Sequence, residues 1–130
     1  MCLSFLNINS VRNKLDNLIH LVGPYVDVLA IGETKIDSSF PDKQFAREKA
    51  GFKKPYRLDQ TAKKGGILVY VRKTIPSDRI PLKLPSDIQV IAIELRLGKE
   101  KWGLAAIYRP PKNRNLKRFF EYLVMVTDQL

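Results

Sequence analysis

Residues 3–31 read LSFLNINSVRNKLDNLIHLVGPYVDVLAI, and this stretch decides the fold class. Leu3, Phe5, Leu6 and Ile8 suit a short first strand. Asn9 and Ser10 offer helix N-cap chemistry, because short polar side chains can bond the free N–H groups of a first turn. Val11, Leu15, Leu18, Ile19 and Val22 then fall on one helical stripe, with Arg12, Lys14, Asp16, Asn17 and His20 largely off it. Gly23-Pro24 stops the helix. Asp27 to Ile31 is a short apolar run suited to a buried strand. Strand, helix and strand within about thirty residues make a right-handed crossover unit, most simply a parallel pair.

Downstream, residues 34–65 lack strong periodicity and are punctuated by Pro41, Gly51, Pro55 and Gly65-Gly66. Ile67, Val69 and Val71 alternate with Leu68, Tyr70 and Arg72, a strand signal. Pro76, Pro81 and Pro85 mark another irregular stretch. Ile88 to Leu97 is a long β-type run, Gly98 to Lys101 a turn, and Trp102 to Tyr108 a returning strand, together an antiparallel hairpin. Beyond Pro110-Pro111, the spacing of Leu116, Phe119, Phe120, Leu123, Thr127 and Leu130 predicts a final amphipathic helix. Cys2 and Trp102 read as packing residues. The expected class is α/β, a largely buried sheet with helices at both ends of the sequence. Neither an internal repeat nor an inter-domain linker is visible.

The 130 residues carry 23 Lys and Arg against 13 Asp and Glu, a net charge of +10. Residues 1–40 contribute −1, residues 41–85 contribute +8 and residues 86–130 contribute +3. A basic segment concentrated in the middle third attracts polyanions, chiefly nucleic acid. One cysteine excludes a disulfide framework. No apolar run approaches the ~20 residues that cross a bilayer, and no Lys/Arg-rich amphipathic helix suggests a membrane surface. The N-terminus lacks the features of a signal peptide. An intracellular protein is expected, nuclear where it acts on DNA.

Polar site residues gather at strand ends in such a sheet. Asn7 ends the first strand, Glu33 follows the second, and Tyr108 closes the last hairpin. Leu6-Asn7-Ile8-Asn9-Ser10 before an amphipathic helix resembles the opening of the endonuclease/exonuclease/phosphatase superfamily. Ala30-Ile31-Gly32-Glu33-Thr34-Lys35 resembles its acidic second motif. Tyr56-Arg57-Leu58-Asp59, Lys64-Gly65-Gly66-Ile67 and Ile107-Tyr108-Arg109-Pro110-Pro111 narrow the resemblance to the endonuclease domain of non-LTR (LINE-like) retrotransposons. The five motifs occur in order across nearly the whole chain.

The resemblance implies a four-layered α/β sandwich and a Mg2+-dependent phosphodiesterase that nicks DNA in retrotransposition. It implies that Glu33 binds the metal, Asn7 orients the attacking group and metal shell, and Tyr108 contacts the scissile phosphate. Asn9, Lys35, Arg57, Lys63, Lys64 and Arg109 are the expected nucleic-acid contacts, which would give affinity with little sequence information. The family's later Gly-Asp-Phe-Asn and Ser-Asp-His type motifs are absent, and the single histidine, His20, reads as a helix-surface residue. Residues 1–130 are therefore expected to form the N-terminal portion of one domain, about half of it. The alternative is an inactive truncated remnant that keeps nonspecific nucleic-acid binding. Half of such a sandwich would leave a sheet face uncovered, so self-association is expected.

Overall fold

The structure is a computed structural model that describes residues 1–109 and 116–130. Its elements are β1 (Leu3–Asn7), α1 (Leu15–Val22), β2 (Val28–Gly32), β3 (Tyr56–Leu58), β4 (Ile67–Val71), β5 (Ser77–Ile80), β6 (Gln89–Leu97), β7 (Glu100–Tyr108) and α2 (Leu116–Gln129). Short 3₁₀ turns occupy Gly23–Tyr25, Asp42–Gln44 and Glu48–Ala50. The strands form two sheets, ordered β1-β2-β4-β3 and β5-β6-β7. The two sheets agree with the sandwich that the resemblance implies, whereas the one largely buried sheet read from the residue pattern alone is divided in two.

The opening crossover forms as its periodicity predicts, with β1 and β2 parallel and Asn7 opposite Gly32. The helix, however, begins at Leu15, not directly after Asn9-Ser10. Asn9 and Ser10 are not its caps: both adopt positive φ, as does Asn13. The reason is lateral pairing. The Ser10 amide donates to the Glu33 carbonyl at 2.8 Å and the Val11 amide to the Thr34 carbonyl at 3.0 Å. Residues 9–11 therefore continue the sheet ladder, although Val11 keeps its buried place beside Leu15 and Ile19.

Two apolar layers hold the molecule together. Leu29, Ile31, Leu68 and Tyr70 face α1 and the loops, packing on Leu15, Ile19, Phe45 and Phe52. The alternate residues Val28, Ala30, Ile67, Val69 and Val71 face the second sheet, against Ile91, Ile93, Leu95 and Ala106. Both faces of β2 and β4 are buried, which explains their continuous apolar runs. On the far side of the second sheet, Leu130 after α2 comes against Gly103, and the Tyr122 hydroxyl donates to Asp87.

The hairpin is antiparallel, and β7 starts at Glu100, two residues earlier than the sequence reading placed it. Leu97 pairs with Glu100, leaving Gly98-Lys99 as a two-residue turn with Gly98 at φ +61°. The irregular stretches hold β3 and β5, edge strands too short and polar to show alternation. Cys2 is exposed ahead of β1 and Trp102 is half exposed on β7, so neither is core. The Pro110-Pro111 step lies outside the described residues.

Candidate active site

The ends of β1, β2 and β7 meet where Gly32 lacks a side chain. A Cβ there would lie 3.1 Å from the Phe5 ring and 3.5 Å from the Tyr108 ring. The missing methyl lets Tyr108 cross the end of β2 and reach the following residue, Glu33. The Tyr108 phenol lies close enough to the Glu33 carboxylate to feel its charge. Burial first, then the negative charge of Glu33, push the phenol above its ordinary pKa. Tyr108 is therefore held protonated and faces a carboxylate.

Glu33 has a φ of +59° and Lys35 a φ of +55°. Left-handed backbone at non-glycine residues is costly and persists where the surroundings over-determine it. Here they do so from both sides. On one side, the carbonyls of Gly32, Glu33 and Thr34 accept from Ile8, Ser10 and Val11. On the other, the amides of Thr34 and Lys35 donate to the carbonyls of Gly66 and Gly65 at 3.3 and 2.9 Å. The segment is a shelf clamped between two loops. The Thr34 hydroxyl is buried in it without a partner among the described residues.

Lys35 brings the third charged group. Its ammonium lies 3.7 Å from Glu33 Oε1 and donates to the Asn9 side-chain oxygen. Asn9 itself is in left-handed backbone, and the Lys14 ammonium bonds the carbonyls of Ile8 and Asn9 at 2.9 and 2.7 Å. Asn9, Glu33, Lys35 and Tyr108 are thus assembled into one cluster. Asn7 stands at the same level, in register with Gly32, with its side chain exposed.

The remaining expected contacts divide. Lys63 and Lys64 are exposed on a turn that Thr61 closes by accepting from both of their amides. That turn leads directly into Gly65-Gly66, beside the Glu33 shelf. Arg109 follows Tyr108 and lays its guanidinium 5.3 Å from the Phe119 ring centre, tying the strand end to α2. Arg57 has a different place. Its donors go to Asp59, Asp42 and the carbonyls of Phe40 and Asp37, and it stacks on Phe45. The Asp59 hydrogen bond raises its pKa, and only 14% of the side chain is exposed. Arg57 is an internal tie for the 37–42 loop, on the α1 side of the first sheet. His20 is exposed on α1.

Three residues of the site neighbourhood escaped the sequence reading. Arg12 donates to the Ala62 carbonyl at 2.9 Å and so links the loop after β1 to the basic turn. Gln89 and Gln60 bond each other at 3.0 Å behind the glycine turn. The one signal for Gln89 was an amide at the head of a strand whose first half is otherwise apolar.

For a magnesium ion the donor set is lean. Glu33 is the cluster's carboxylate, and among the described residues no three His, Cys, Asp or Glu side chains stand together. Protein-bound magnesium commonly rests on one or two carboxylates, its other ligands being water and substrate phosphate. The residues present meet that lower bound through Glu33 alone.

No family model matches the chain, and no curated protein matches it. Solved structures share its architecture. The 3′-5′ exonuclease of Neisseria meningitidis gives a TM-score of 0.65 at 19% identity, over 98% of this chain and 50% of that one. A Neisseria 3′ phosphatase bound to product DNA hairpin gives 0.64 at 18%, over 97% and 49%. An AP endonuclease from Archaeoglobus fulgidus gives 0.64 at 17%, over 100% and 51%. The chain therefore spans about half the length of each. The shared feature is the fold, two sheets flanked by helices in the endonuclease/exonuclease/phosphatase arrangement.

Proposed function

We propose that this chain carries part of the site of a magnesium-dependent phosphodiesterase that cuts DNA. Its motifs resemble the endonuclease of non-LTR retrotransposons, which gives the narrower reading: nicking of target DNA, in the nucleus. The observation that supports it best is the meeting of Glu33, Lys35, Asn9 and Tyr108 at the ends of β1, β2 and β7. That meeting occurs on the fold of enzymes whose described activities are exonuclease, phosphatase and AP endonuclease.

Each residue has a definable task. Glu33 would hold the metal. A bound magnesium ion would neutralise charge on the phosphate and on the departing oxygen. Lys35 sets a positive charge beside the same carboxylate and would draw in a phosphate. Tyr108, kept protonated, would donate to a phosphate oxygen. Asn7, exposed at the strand end, would orient what approaches the shelf. Lys63 and Lys64 would bind flanking phosphates, and Arg109 would do so from the strand end. Contacts of this type hold the backbone of DNA and leave its sequence unread.

A second reading is favoured by one fact: Glu33 is the cluster's sole carboxylate. On that reading the chain retains nonspecific nucleic-acid binding without catalysis. Nicking of supercoiled plasmid by the purified chain separates the two. Nicking that needs magnesium, stops with EDTA and disappears in Glu33→Gln supports the enzyme. Retention of DNA without nicking, weakening steeply as salt rises, supports the binding remnant.

A further inference from the structure

We propose that Gln89 is a positioning residue, which holds the Glu33 shelf at a fixed distance from Tyr108 through the Gly66 amide. This rests on reading the Glu33 cluster as the working site. Gln89 and Thr34 are the buried polar residues among those described. An amide side chain removed from water is costly unless its donors and acceptor are matched. Those of Gln89 are. Its Oε1 accepts from the Gly66 amide at 2.9 Å, and its Nε2 donates to Gln60 Oε1 at 3.0 Å. A backbone N–H can only donate, so Gly66 fixes which end of the amide faces it.

From Gly66 the connection runs on to the shelf. The Gly66 carbonyl accepts from Thr34 and the Gly65 carbonyl from Lys35, on either side of which sit the site's charged groups. No slack exists in this path. Gly65 and Gly66 have φ of +70° and +97°. A Cβ at Gly65 would lie 2.0 Å from Gln60 Oε1, and one at Gly66 would lie 2.1 Å from Thr34 Oγ1. The turn is packed directly between the two glutamines and the threonine. Gln89 is also the backbone partner of Tyr108 in the hairpin register. One residue therefore grips the Tyr108 strand by its main chain and the Glu33 segment by its side chain. It touches neither substrate nor metal in the proposed site, and it sets how the phenol and the carboxylate meet.

The test is amide hydrogen exchange, followed by NMR on the full chain without DNA, for wild type, Gln89→Leu and Gln89→Glu. Leucine removes both hydrogen bonds at similar volume. Exchange at Gly66, Thr34 and Lys35 should then rise together by about tenfold, the scale of one net hydrogen bond, while Ile91 and Ile93 keep wild-type protection. Glutamate retains the accepting oxygen, and the Gln60 amide can turn over to donate to it. Protection of Thr34 and Lys35 should therefore survive in Gln89→Glu. The proposal is overturned if Gln89→Leu loosens Gly66 alone, or loosens Ile91 and Ile93 equally, or if Gln89→Glu behaves like leucine. A second arm measures binding of a short labelled DNA duplex. Gln89→Leu should weaken it severalfold with an unchanged salt dependence, because no cation is removed. Wild-type-like binding by Gln89→Leu would overturn the functional half of the proposal. A wild type that binds no duplex would sink the nuclease reading instead, and the exchange arm would still decide the role of Gln89.

Discussion

The Lys35 ammonium lies 3.7 Å from the Glu33 carboxylate and donates to Asn9, on backbone that is left-handed at all three residues. The two charges face each other inside a site meant, on our reading, for a polyanion. Glu33 therefore opposes phosphate binding even as it would serve a metal. Glu33→Gln should release Lys35 and tighten binding of a short duplex at low salt by up to about fivefold, the upper scale of an exposed ion pair. The same substitution should abolish magnesium-dependent nicking. Fluorescence anisotropy with and without magnesium measures the first effect. Weaker binding by the variant would show that Glu33 shapes the shelf and does not merely charge it.

Alkaline pH should unfold the chain through its buried phenols. Burial raises the pKa of Tyr70 far above the ordinary tyrosine value, with the Arg47 charge opposing. Tyr108 is raised by burial and then by Glu33. Below the unfolded value of about 10 both states keep the proton, and this contribution is fully present. As pH climbs past that point the unfolded chain ionises first, so stability falls. Urea midpoints should hold steady to about pH 9 and drop beyond pH 10. Tyr70→Phe should flatten the drop. At neutral pH it should cost about 1 kcal/mol, because the hydroxyl donates to the Phe45 carbonyl at 2.7 Å. An equally steep drop in Tyr70→Phe would place the alkaline weakness elsewhere.

Local patterning made the first crossover, the long hairpin and the presence of α2 legible, but the buried face of α2 was misread: Tyr122 and Val126 are buried, while Leu116, Phe120 and Leu130 of the expected stripe are exposed. The division into two sheets was legible only through the family resemblance, not from the residue pattern. Val28 and Leu29 look alike as letters, yet one faces the second sheet and the other faces α1. The start of α1 was missed because the amides of Ser10 and Val11 are claimed by the carbonyls of Glu33 and Thr34, a long-range pairing that cap preferences do not register. In the candidate site, Glu33, Asn9, Lys35 and Tyr108 were picked out from motif order, and the structure places them side by side. Arg57 carries the same kind of motif signal and lies among carboxylates and carbonyls of the other face. A lone arginine does not announce whether its partner is DNA or its own chain.

Arg72 gives the clearest stability prediction. Its guanidinium donates to the carbonyls of Gly23, Val26 and Ala50 and lies 4.2 Å from the Phe52 ring centre. Those carbonyls belong to the 3₁₀ turn after α1 and the residue that follows it, and to the turn before Gly51. One planar fork thus joins three chain segments, and a lysine cannot reproduce it. Arg72→Lys should cost about 2 kcal/mol, since more than one charged hydrogen bond is lost at once. Chemical denaturation at neutral pH measures this. A change well under 1 kcal/mol would mean that the fork adds little beyond the apolar packing around Phe52.

The last prediction concerns the open edge of the sandwich. Leu3 and Phe5 pair with Val28 and Ala30, whose side chains are buried against the second sheet. Yet Leu3 is 47% exposed and Phe5 48%, because β1 lies at the sheet edge where the second sheet gives it little cover. Trp102, on the matching face of edge strand β7, is 49% exposed. We propose that this apolar edge drives self-association in solution. A net charge of +10 opposes it, so screening should favour association. Sedimentation velocity should show a mean mass that grows with protein concentration and grows further as salt is raised. DNA binding has the opposite salt dependence, which keeps the two effects distinct. Leu3→Lys combined with Trp102→Lys should restore a monomer without touching Glu33, Lys35 or Tyr108. A wild-type chain that stays monomeric across the concentration range at high salt would overturn the idea. The exposed edge would then be a surface the chain tolerates.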